Sequence, residues 1–119
     1  MPIINATRQS IVASCFDIAS NPLTRMKGLI GRAQMPQDWA LVIRPCSSIH
    51  MMFMRFAIDV IFVDDQNKVV GLVKAIKPFC ISPVFWDSAY AVELAAGTIQ
   101  ATRTNLGDSI EILNSKHSG

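Results

Sequence analysis

Short stretches of apolar, β-branched and aromatic residues recur along the chain and alternate with polar or glycine-containing turns. Side chains in residues 10–18 alternate loosely between two faces, which is typical of a strand. A brief apolar run over Trp39–Ile43 is ended by Pro45. The β-branched and aromatic content of residues 48–73 favours strand over helix. Further strands are predicted at residues 90–94 and 109–113.

The strongest local pattern is a β-hairpin in the middle of the chain. Residues 64–67 read Asp-Asp-Gln-Asn, which is turn chemistry. Apolar and β-branched residues flank this turn on both sides. The sequence therefore predicts a hairpin that pairs residues 60–63 with residues 68–73.

One helix is predicted near the N-terminus. Ser20 or Asn21 can cap its first turn, and Pro22 suits the first helical position. Apolar residues follow at helical spacing, and the helix is expected to end near Gly31. Together the elements predict a mainly β fold at the α+β border: a small β-sandwich or barrel of jelly-roll type with one short N-terminal helix.

Length and composition define the scale of the molecule. At 119 residues the chain suits a single domain, residues 1–119, with an ordered core of about residues 8–114. Half of the residues are hydrophobic. Such an excess requires a dense core, a partner surface or an apolar pocket.

Charge and apolar runs argue against two classes of partner. The net charge is +2 and the basic residues are scattered, so a concentrated basic face for nucleic acid is not expected. The apolar runs are shorter than the ~20 residues of a membrane span, so no membrane insertion is expected. The domain is expected to be a monomer or a weak dimer.

The cysteines and the N-terminus point to the cytoplasm. Cys15, Cys46 and Cys80 form no Cys-x-x-Cys pair, which indicates reduced thiols. The first ten residues lack a basic region followed by an apolar stretch, so no secretion signal is expected. His50, Met52 and Met54 lie too far apart along a strand face to share one metal ion, and neither a metal nor another cofactor is expected.

Several separated motifs resemble one bacterial and archaeal family. They are RMKGLIGR at 25–32, CSSIH at 46–50, FMRFAIDVIFVD at 53–64, VELAAG at 92–97, and Gly107-Asp108. In this order and spacing they resemble the uncharacterised family labelled "domain of unknown function 192" over nearly the whole chain. The resemblance implies a compact, mostly β fold of sandwich or jelly-roll type, and it implies no assigned activity, substrate or cofactor.

Lone polar residues within apolar strand segments are the candidates for chemistry. Buried charges are costly unless paired, so His50, Arg55, Asp59 and Glu93 each need a reason to be there. One hypothesis is a pocket in which these four side chains converge on a small polar ligand. Along one extended strand, Arg55 and Asp59 share a face about 13 Å apart, whereas His50 faces the other way.

Two further hypotheses stay open for the same residues. In the first, the protein is a small enzyme in which His50 acts as acid or base and Arg55 stabilises an anion, with Asp59 and Cys46 as further catalytic candidates. In the second, the polar residues form a structural network that fixes the fold. The network would consist of Arg25, Arg32, Asp59 and Glu93.

Residues 83–86 form an apolar stretch next to prolines in a predicted loop. We expect this loop, with Trp86, to be tucked over the core, and an exposed Trp86 would instead indicate a partner surface. The function class preferred from the sequence is a non-catalytic accessory domain that holds a small polar ligand or a protein partner.

Overall fold

The computed structural model describes residues 2–19, 35–49 and 55–113. Within these residues the chain forms short strands and one short helix, α1, in the second half. The strands are β1 (Ile3–Asn5), β2 (Ser10–Ala13), β3 (Cys15–Ala19), β4 (Trp39–Ile43), β5 (Ile58–Val63), β6 (Val69–Ile76), β7 (Tyr90–Ala95) and β8 (Ile110–Ile112), and α1 is Thr98–Ala101.

The strands of the described residues form two sheets. The small sheet has the order β2-β1-β8, and the large sheet has the order β3-β4-β7-β5-β6. All pairings are antiparallel except β3 with β4, which run parallel. The mainly β, sandwich-like prediction is confirmed. The barrel alternative is wrong, because β3 and β6 lie at opposite ends of the large sheet instead of pairing with each other.

Two apolar clusters cover the two faces of the large sheet. Between the sheets, Ile3 and Ile110 of the small sheet pack in one cluster with Ile61 and Leu94 of the large sheet. Val60 precedes Ile61 on β5 and points to the outer face, where it belongs to a second cluster. Every residue of β5 and β7 is buried, because these central strands are covered on both faces.

The predicted hairpin is present. Val60 pairs with Val73 and Val63 with Val69 across β5 and β6. In the turn, Asp64 Oδ1 accepts hydrogen bonds from the backbone N–H groups of Gln66 and Lys68, each at 2.9 Å. The side chain of an aspartate thus closes the turn, as the turn chemistry of the sequence predicted.

The N-terminal part departs from the prediction. Residues 10–18 form two strands, because the chain leaves the small sheet after Ala13 and enters the large sheet at Cys15. At this crossing the backbone N–H of Ser14 donates to Asp38 Oδ1 at 2.9 Å. Strand β1, which was not predicted, begins at Ile3.

The helix predicted to end near Gly31 lies outside the described residues. The helix that the structure describes, α1, was not predicted. No helix among the described residues has both the length and the apolar character needed to cross a bilayer.

Candidate functional site

Asp59 lies on β5 with its side chain almost completely buried. Its carboxylate accepts hydrogen bonds from the backbone N–H groups of Ala75 at 2.8 Å, Gly97 at 3.0 Å and Ile99 at 2.9 Å. The carboxylate therefore holds the end of β6 and the start of α1 against β5. The network with Arg25 and Arg32 that the sequence left open for Asp59 stays a prediction.

Glu93 lies on β7 and is fully buried. Its backbone partners across the sheet are Leu41 and Val60, which pack in the outer cluster. Asp59 is instead paired with Leu94, which packs between the sheets. Paired residues of neighbouring strands point to the same face, so Asp59 and Glu93 point to opposite faces of the large sheet. The two carboxylates do not converge on one pocket.

The other members of the predicted pocket are placed only in part. His50 lies outside the described residues, and so do Arg25 and Arg32 of the predicted network. Arg55 is exposed and precedes β5, which begins at Ile58. Its predicted strand register with Asp59 therefore does not apply.

Cys46 is half-buried and packs against the outer cluster. Its Sγ donates a hydrogen bond to the backbone carbonyl of Ser48 at 3.2 Å, and its backbone N–H donates to the carbonyl of Ala89. These contacts fit a small side chain packed as part of the core.

The loop between β6 and β7, residues 77–89, carries most of its apolar side chains on the outside; we call it the apolar loop. The prediction that Trp86 is tucked over the core is wrong, because it is the neighbouring Phe85 that turns inward. The Phe85 ring lies 4.5 Å from that of Phe62 between centroids. The exposed fractions are 65% for Phe79, 71% for Ile81, 44% for Val84 and 86% for Trp86.

Hydrogen bonds fix the backbone of the apolar loop to residues 46–49. The N–H of Ser82 donates to the carbonyl of Ile49 at 2.8 Å, and the N–H of Ile49 donates to Ser82 Oγ at 2.9 Å. The N–H of Phe85 donates to the carbonyl of Ser47 at 2.8 Å. Farther along, Ser88 Oγ donates to the carbonyl of Cys46. The exposed side chains therefore project from a fixed backbone.

A second polar cluster surrounds Asp108 and was not singled out from the sequence as a site. Asp108 Oδ2 accepts hydrogen bonds from Asn5 Nδ2 at 3.0 Å, Arg8 Nε at 3.1 Å and the backbone N–H of Asn105 at 2.9 Å. Burial raises the pKa of Asp108, but these donors and the charge of Arg8 outweigh burial, and the net pKa is lowered. The only signal for this cluster in the sequence is Gly107-Asp108, one of the motifs that resemble the family.

Comparison with known sequences places these features in a family. The sequence profile of DUF192, described as "Uncharacterized ACR, COG1430", matches residues 3–112. A UPF0127 protein from Thermococcus sibiricus is 31% identical over 115 residues, which cover 92% of this chain and 73% of that protein. A UPF0127 protein from Pyrococcus furiosus is 31% identical over 114 residues, which cover 92% of this chain and 96% of that protein.

A solved structure shares the fold. The crystal structure of a protein of unknown function from Novosphingobium aromaticivorans DSM 12444 superimposes with a TM-score of 0.78. The match covers 94% of this chain and 84% of that one, at 18% sequence identity. At this identity the similarity concerns the fold alone.

Proposed function

We propose that this chain, which belongs to the DUF192 family of uncharacterised proteins, is a non-catalytic accessory domain that binds a protein partner through the apolar loop. The observation that carries the proposal is Trp86, which is 86% exposed on a loop whose backbone is hydrogen-bonded to residues 46–49. The partner is a protein whose surface offers an apolar pocket to the indole ring.

Exposure and anchoring together support this role. Single exposed apolar side chains are common on soluble proteins, whereas clustered ones mark interaction surfaces. Here four large apolar side chains of one short loop are exposed. Because the loop backbone is already fixed, binding would order little more than the side chains, which keeps the entropy cost of association low.

We place the domain in the cytoplasm as part of the same proposal. Cys15 and Cys80 are both exposed and form no disulfide. Exposed thiols persist in the reducing conditions of the cytoplasm, whereas secreted domains tend to oxidise or pair them.

The experiment is photo-crosslinking in cells with a crosslinking amino acid at position 86 or, as a control, at position 106. Leu106 is also an exposed apolar residue, 61% exposed, on a different loop. We expect one protein to be captured from position 86 and not from position 106. The captured protein is then purified, and its affinity is measured by calorimetry for the parent, Trp86→Ala and Leu106→Ala.

Removing a buried aromatic anchor typically costs 2 kcal/mol or more, so we expect Trp86→Ala to weaken binding about 30-fold. Leu106→Ala should leave the affinity unchanged. Equal affinity for parent and Trp86→Ala would reject the proposal. So would association of the parent, but not of Trp86→Ala, with lipid vesicles in the absence of any captured protein, because the loop would then be a lipid anchor.

A further inference from the structure

A cleft of about 370 Å³ lies on the face of the large sheet opposite the apolar loop. Leu72 and Ile99 form its apolar part, and both pack in the cluster between the sheets. Phe85 of the apolar loop packs in the outer cluster instead. The cleft is thus separated from the proposed docking surface by the sheet itself. Its volume is within the ~300–1,000 Å³ usual for small-molecule sites.

The polar lining of the cleft is cationic. Arg8, Lys74 and Arg103 come from three different segments of the chain and line the cleft together. Among the described residues that line it, none is a carboxylate. The remaining polar lining consists of Gln100, Thr104 and Asn105, whose amide and hydroxyl groups can donate hydrogen bonds.

Two of the cations are held in place by the protein. Asp108 accepts from Arg8 Nε at 3.1 Å, which leaves the terminal nitrogens of Arg8 available to a ligand. Arg103 Nη2 donates to the backbone carbonyl of Arg8 at 3.2 Å, which holds the Arg103 guanidinium against the Arg8 segment. Contacts within the protein therefore position both guanidinium groups at the cleft.

The backbone of Arg103 ends α1. Its φ of 57° lies in the left-handed region, as is usual for the residue that follows a helix C-cap. The N–H of Arg103 donates to the carbonyl of Gln100, and the N–H of Thr104 donates to the carbonyl of Ile99. This helix end places the Arg103 side chain in the lining of the cleft.

Two carboxylates reduce the positive field without entering the cleft. Asp108 is not part of the lining, and its carboxylate offsets part of the positive charge of Arg8 through the ion pair at 3.1 Å. Asp59 is buried and accepts from the N–H of Ile99 and from two other backbone N–H groups. The surface that a ligand meets still consists of cations, amides, a hydroxyl and apolar carbons.

We infer that this cleft binds a small soluble molecule that carries a phosphate group. Guanidinium and ammonium groups together with neutral donors suit an anion with several oxygens, which accepts many hydrogen bonds at once. Leu72 and Ile99 suit the carbon skeleton of such a ligand. The inference is independent of partner binding by the apolar loop, because it rests on different residues on the other face of the sheet.

The test is isothermal titration calorimetry of the full chain with inorganic pyrophosphate, and with citrate at matched ionic strength. The variants are Lys74→Gln and Arg103→Gln. The matched controls are Lys77→Gln and Arg55→Gln, which remove the same charges from exposed positions outside the lining.

We expect saturable binding of pyrophosphate, weakened about tenfold or more by each cleft variant, since a charged hydrogen bond contributes at least ~1.4 kcal/mol. Each control should retain the parental affinity.

Four results would overturn the inference. The first is no saturable binding of pyrophosphate, and the second is an equal loss in the cleft variants and the charge-matched controls, which would indicate non-specific attraction. Tighter binding of citrate than of pyrophosphate would reject phosphate as the recognised group. Binding to phosphatidylglycerol vesicles without binding of soluble pyrophosphate would reject a soluble ligand. Trp86→Ala serves as a separate control and should bind pyrophosphate as the parent does, whatever its effect on a partner.

Discussion

Asp59 accepts hydrogen bonds from backbone N–H groups in β6, at Gly97 and in α1. One of these donors belongs to Ala75, whose φ of 50° is in the left-handed region. A buried carboxyl group that accepts several hydrogen bonds is stabilised by them, whereas its removal leaves those donors without partners. Asp59 is therefore best described as a residue that joins segments of the fold.

We expect Asp59→Ala to lower the free energy of unfolding by at least ~3 kcal/mol, because buried backbone donors lose a charged acceptor. The free energy of unfolding of Asp59→Asn should lie between those of Asp59→Ala and the parent, since the amide oxygen still accepts hydrogen bonds. Asp65→Ala, in the exposed hairpin turn, is the control and should change stability by less than ~0.5 kcal/mol. Urea unfolding measures all three. A small loss for Asp59→Ala, comparable with that of Asp65→Ala, would contradict the structural role.

At the scale of elements, β6 and the apolar loop depend on one glycine. A Cβ at Gly71 would lie 2.8 Å from Cγ of Phe85, well inside ordinary contact distance. Gly71 thus makes room for the Phe85 ring, which in turn packs on Phe62 of β5. The inward position of Phe85 holds the loop while Trp86 remains outside.

We expect Gly71→Ala to destabilise the domain by about 1–3 kcal/mol, because the added methyl group overpacks the site. In a Phe85→Ala background the same change should cost little, since the obstructing ring is gone, and the double-mutant cycle measures this coupling. A stabilising effect of Gly71→Ala in the parent would show that Phe85 does not occupy this position. In a Trp39→Phe background, where Trp86 is the only tryptophan of the sequence, acrylamide quenching reports whether the loop shifts.

At the scale of the whole molecule, the cluster around Asp108 joins the two ends of the described chain. Asn5 of β1 reaches Asp108 and also donates to Thr104 Oγ1 at 3.1 Å. Arg8 extends the cluster toward the basic cleft. Closure of the small sheet and the position of Arg8 therefore depend on the same carboxylate.

Acid should lower the free energy of unfolding because Asp108 becomes protonated, and the variant Asp108→Asn shows how much of the loss is due to this residue. Its pKa in the folded protein lies below the unfolded value of about 4. Between these two pKa values the unfolded chain binds more protons than the folded protein does. The stabilisation that Asp108 contributes is therefore present above the unfolded pKa and is lost as the pH falls through the folded pKa. Urea unfolding at a series of pH values should show a steeper acid loss for the parent than for Asp108→Asn. Asp65→Asn should keep the parental slope, and identical profiles for the parent and Asp108→Asn would contradict the prediction.

The elements that the sequence predicted correctly depend on short-range chemistry. The hairpin follows from the polar turn at residues 64–67 between two apolar runs, and β4 coincides with the apolar run before Pro45. The alternation along residues 10–18 also indicated strand, but it carries no information on where the chain crosses between sheets. Helix α1 spans only Thr98–Ala101, which is too short to show a helical pattern of apolar residues. Its first turn is held by hydrogen bonds to Asp59, which is far away in the sequence.

The sequence by itself determined the mainly β class, the central hairpin and the family, because turn chemistry, side-chain alternation and motif order can be read locally. Only the tertiary structure decided what the polar residues do. The donors to Asp59 lie 16 to 40 positions away along the chain, and Asn5 lies 103 positions from Asp108. It also decided that Phe85 turns inward while Trp86 is exposed. A polar or aromatic side chain acquires its role from the partners that folding brings to it, and those partners depend on strand order and on which face each residue occupies.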